Sequence, residues 1–157
     1  MAIASYTLIE ALRTTAGKLA SADNEYRWTH MGACNCGHLA QHITGMSASE
    51  IRRLSQYKAG EWADQALEYC ETSNLPIDHV MGSLLELGLE PRDVGHLERL
   101  SDPSVLRRFS LEKRHLDFRQ RIHVVMYMRA WADMLEEQLQ VKVKPQNLED
   151  EKTQHVA

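Results

Sequence analysis

Cysteine is scarce in this chain. Three residues, Cys34, Cys36 and Cys70, cannot all pair with one another, and the one-residue loop between Cys34 and Cys36 is too short to bridge without strain. A disulfide framework is therefore excluded as the main support of the fold, and the thiols are expected to be reduced. No apolar run approaches the 18–20 or so residues needed to cross a bilayer. The N-terminus lacks the basic start and apolar stretch of a secretory signal, since Glu10 and Arg13 interrupt it early. A cytoplasmic location without membrane contact is the expectation. Basic excess is also missing: 18 Lys and Arg face 22 Asp and Glu, for a net charge of −4. Such a balance offers no general attraction to nucleic acid or to an anionic surface.

What is present suits a folded domain. The chain has 157 residues, 43% of them hydrophobic and 25% charged. A chain of about 150 residues buries roughly 68–70% of its unfolded surface, enough for a core of its own. Apolar residues recur at helical spacing. Leu8, Leu12 and Leu19 share one face, Leu39, Ile43 and Met46 another, and Val80, Leu84 and Leu87 a third. Asn35 is placed to cap the second of these helices, and Ser47 with Glu50 spells a capping box for the next. Pro76 and Pro91 suit first helical turns. The strongest periodicity runs from Leu111 to Val141, through Phe118, Ile122, Val125, Met128, Trp131, Leu135 and Leu139, and predicts one long helix. The expected fold is an all-α, single-domain helical bundle of six or seven helices over 1–144, with a long C-terminal helix. A polar, mobile tail is expected over 145–157.

One stretch concentrates chemistry. His30-Met31-Gly32-Ala33-Cys34-Asn35-Cys36-Gly37-His38-Leu39-Ala40-Gln41-His42 holds two of the three cysteines and three of the eight histidines. Thiolate and imidazole are the preferred ligands of zinc and iron. In a helix starting at Asn35, His38 and His42 share a face, and Cys34 and Cys36 stand at its first turn. Cys34, Cys36, His38 and His42 could thus hold a zinc or iron ion, or form a small-ligand site. The spacing matches no usual structural zinc pattern. A second reading makes Cys34 or Cys36 a nucleophile or redox sensor, with its pKa lowered by the positive end of the helix. In a third, these residues only pack, and the protein is a non-catalytic helical interaction module.

Two further segments bear on partners. Pro76 to Leu100 has the outline of a helix-turn-helix, but its second helix mixes Arg92 and Arg99 with Asp93 and Glu98, which disfavours DNA. From Arg107 to Arg121 there are six basic residues against Glu112 and Asp117. That stretch is either a solvated face or a contact for an acidic partner. The apolar surplus of the long helix also allows a homodimer.

Overall fold

The structure, a computed structural model, describes the backbone of residues 1–154 and the side chains of residues 1–143. The expected tail over 145–157 lies outside the fully described residues. Eight α-helices make up the described fold: α1 (Tyr6–Ala20), α2 (Asn35–Thr44), α3 (Ala48–Ser55), α4 (Trp62–Leu67), α5 (Pro76–Glu86), α6 (Pro91–Arg99), α7 (Pro103–Leu106) and α8 (Arg121–Gln154). A 3₁₀ turn lies at Leu111–Lys113. The all-helical bundle and its long C-terminal helix agree with the sequence.

Helix boundaries follow local chemistry. The Ser5 hydroxyl accepts from the Leu8 N–H at 3.1 Å and starts α1. Ser47 and Glu50 form the expected capping box. Three of the four prolines, at 76, 91 and 103, open helices where a missing N–H removes no bond. Gly88, just beyond the end of α5, holds φ +111, a backbone state that side chains with a Cβ resist.

Packing centres on two arrangements. α1 lies along α8, burying Leu8, Leu12, Ala16 and Leu19 against Val124, Met128, Trp131 and Leu135. Arg13 fastens the pair from outside, 2.8 Å from both Asp133 and Glu136. α2 passes through the middle, against α1, α3, α5 and α6, while α4 packs mainly on α6. This is why α2 buries even its first turn, Asn35, Cys36 and Gly37.

The structure corrects the long helix at its start. Between Arg114 and Gln120 the chain is not helical, and α8 begins at Arg121. Tertiary contacts outweigh helical propensity there. The Phe118 ring packs on Trp28 with centroids 4.2 Å apart, and the Phe118 carbonyl accepts the Tyr26 hydroxyl. The Asp117 N–H donates to His123 Nδ1 at 2.9 Å, while its carboxylate accepts the Arg119 N–H, a local turn that competes with helix. Ile122, expected on the buried stripe, is consequently 58% exposed.

Candidate functional site

The His30–His42 stretch is built from a tight loop entering α2. Gly32 and Gly37 allow this entry, because a Cβ at Gly32 would fall on the Ala48 backbone and one at Gly37 on the Met31 and Gly32 backbone. The glycines thus serve close backbone packing. The cap is Cys34, not Asn35 as expected. Cys34 Sγ accepts from the Gly37 N–H at 3.4 Å and faces the Met31 carbonyl at 3.5 Å.

Asn35 is instead a buried pin. Its amide donates to the Leu97 carbonyl at 2.7 Å and the Glu98 carbonyl at 3.0 Å, and its oxygen accepts from the Cys36 N–H. It ties the N-terminus of α2 to the end of α6, satisfying carbonyls that a helix C-terminus leaves open. Glu98 then reaches α4, accepting from the Trp62 N–H at 3.2 Å and the Ala63 N–H at 3.0 Å. Burial pushes its carboxyl pKa up, against the lowering effect of those N–H groups. Trp62 closes the junction with its indole N–H on the Met31 carbonyl, 3.0 Å away.

The four expected metal ligands are not brought together. Cys36 is fully buried, its sulfur 3.7 Å from the Val94 carbonyl. It lies two residues before His38, about 200° away around the helix. Cys34 is 2% exposed. His38 and His42 share a face as expected, but His38 Nε2 is 2.7 Å from the Glu25 carbonyl. Both line a cleft with Lys18, whose ammonium opposes a cation there. Among the described residues, no three His, Cys, Asp or Glu side chains converge to hold a metal. The donor set does not fit a zinc or iron ion.

Electrostatics also oppose thiolate chemistry at these cysteines. Burial pushes the Cys34 thiol up to about 12 and the Cys36 thiol well above its ordinary value. This reverses the expectation from the helix N-terminus, since desolvation outweighs the dipole. Exposed Cys70 is the thiol whose pKa is lowered, through hydrogen bonding with Thr72. Both histidine pKa values are lowered, first by burial and then by Lys18 for His42.

His42 also borders a groove of about 750 Å³ between the start of α1 and the ends of α2 and α5. Sequence reading missed this site. Its residues come from positions 3 to 88, and no local spacing reveals that they meet.

The basic stretch contains both paired and unpaired groups. Arg108 makes a two-pronged contact with Glu137 at 2.7 and 2.9 Å. Arg121 binds the Ser21 and Asn24 carbonyls, and Arg114 the Phe109 carbonyl. Arg107, Lys113 and Arg119 are exposed and have no carboxylate partner among the described residues. Arg119 lies 5.1 Å from the Phe118 ring centre, and Arg99 covers the Trp28 and Phe118 rings from 5.2 and 5.1 Å. The helix-turn-helix outline does not form a packed pair: α5 packs on α2 and α3, α6 on α4 and α2. Arg99, a donor on the second helix of that outline, is held by Glu61 at 2.6 Å. Comparison with protein families, with curated proteins and with solved structures gives no match.

Proposed function

We propose that this protein is a non-catalytic helical interaction module that holds an acidic protein segment on the basic stretch Arg107–Arg121. The observation that carries this reading is the exposure of Arg107, Lys113 and Arg119 without carboxylate partners, in a chain that is acidic as a whole. Outside the stretch Arg13, Arg27, Arg99 and Lys58 have such partners, and exposed Lys18, Arg52, Arg53, Arg92 and Arg129 have none among the described residues. Within it Arg108 is paired, and what sets the stretch apart is three unpaired cations between positions 107 and 119. Leu111, 75% exposed between these cations, supplies an apolar contact beside the charges. Interfaces of this composition gain steering from charge and affinity from a few buried apolar groups. The burial of Cys34 and Cys36 supports the same reading, because it gives the conspicuous cluster a structural task.

Poly-L-glutamate is a suitable probe, read through tryptophan fluorescence. Trp62 and Trp131 are buried, so Trp28, beside Phe118 and Arg99, is the reporter. Saturable binding that weakens as salt rises is expected. It should disappear in the variant Arg107→Glu, Lys113→Glu, Arg119→Glu with helicity unchanged. Equal binding by that variant would overturn the proposal, as would tighter binding of a single-stranded oligonucleotide than of poly-L-glutamate.

A further inference from the structure

The far end of α1 from this basic stretch carries the opposite electrostatic character. The 750 Å³ groove is continued by a second one of about 340 Å³, and the two share Ser83 and Glu86 on the last turns of α5. No lysine or arginine lines either of them. Glu10 and Glu86 face the first and Glu71 the second, and among the described residues none of the three has an ion-pair partner. Asp78 also lines the second groove but is committed to Lys58 at 2.8 Å.

Helix direction adds to this. The first groove takes His42 and Ile43 from the last turn of α2, and Ser83, Glu86 and Leu87 from the end of α5. Two helix C-termini therefore meet there, each favouring a positive charge. The N-terminus of α1 also borders the groove and has the opposite polarity, with one of its N–H groups, that of Leu8, taken up by the Ser5 hydroxyl. Alongside these groups runs an apolar wall of Ile3, Ala11, Ile43 and Leu87. A hydrated metal ion gains nothing from such a wall, and the carboxylates are not gathered closely enough to coordinate one.

We infer that the joined grooves form a binding site for a small linear polyamine, whose ammonium groups meet Glu10, Glu86 and Glu71 while its methylene chain lies on the apolar wall. Each groove, at about 750 and about 340 Å³, is within the range of small-molecule sites, roughly 300–1,000 Å³. The shared Glu86 makes the site elongated, which suits several charges spaced by methylenes better than one compact cation. This site is separate from the basic stretch and stands or falls independently of it.

The test is calorimetric titration of the full chain with spermidine at low salt. One saturable site is expected, not displaced by a tenfold excess of magnesium chloride. Ethylenediamine, with two methylenes and at most two charges, should bind more weakly than spermidine. Glu10→Gln with Glu86→Gln should weaken spermidine by about tenfold or more. Both residues are exposed and unpaired, so the double variant should keep its helicity and melting temperature. Glu112→Gln, in the basic stretch, should leave affinity unchanged. Undiminished affinity in the double variant overturns the inference, as does displacement by magnesium or the absence of saturation. Trilysine binding as tightly as spermidine overturns it too, by assigning the grooves to a basic peptide.

Discussion

Cys34 shows how environment outweighs residue type. At a helix N-terminus a thiol ordinarily gains acidity, yet here burial wins and pushes the thiol up to about 12. Alkylation of the native protein at pH 7 should therefore label Cys70 first, with Cys34 and Cys36 reacting only as the fold opens. Mass spectrometry after timed labelling checks this order, and early modification of Cys34 would contradict it. Asn35 is the other informative residue. Asn35→Ala leaves the Leu97 and Glu98 carbonyls without their buried donor and should cost about 2–3 kcal/mol in urea unfolding. Asn35→Asp should cost at least as much, because it aims a carboxylate at two carbonyl oxygens.

At the level of elements, the caps and stripes were readable because their causes are local. Ser47-Ala48-Ser49-Glu50 carries its own capping box, and Ser47→Ala should lower stability by about 1 kcal/mol. The Leu8–Leu12–Leu19 stripe likewise announces α1, and Leu12→Ala should cost about 2–5 kcal/mol in the same measurement, since Leu12 is fully buried. The start of α8 was not readable. Residues 111–120 contain no helix breaker, and what diverts them is Trp28 and Tyr26, some ninety positions earlier in the chain. The candidate site failed in the same way. Four cysteines and histidines within nine positions look like a site, but their neighbours Val94, Leu97, Glu98 and Trp62 come from α4 and α6 and turn the cluster into a junction. The grooves at the other end were invisible for the complementary reason, being assembled from short contributions of four separate segments.

For the whole molecule, pH acts through buried carboxylates of opposite behaviour. Burial pushes Asp78 up, but hydrogen bonds from Lys58 and Ser73 and the Lys58 charge outweigh it, leaving its pKa below the ordinary value. Its contribution is therefore complete above the unfolded-state value of about 3.9 and is lost as pH falls through the folded value. Asp93 and Glu98, raised mainly by burial, do the reverse. The folded state holds their protons more tightly, so stability declines as pH climbs from about 4.3 through the raised Glu98 value. Urea midpoints against pH should show both limbs. Asp78→Asn should remove the acid one, and Glu98→Gln should flatten the other. The pairing of α1 with α8 has a consequence for how the chain is made. Arg13 meets Glu136 across 123 positions, and the apolar face of α1 has its main cover only on α8. During synthesis that face leaves the ribosome about a hundred residues ahead of α8, which begins at Arg121, and stays without its main cover until then. Nascent chains halted before residue 121 should stay protease-sensitive and engage chaperones, and protection should arrive late and in one step.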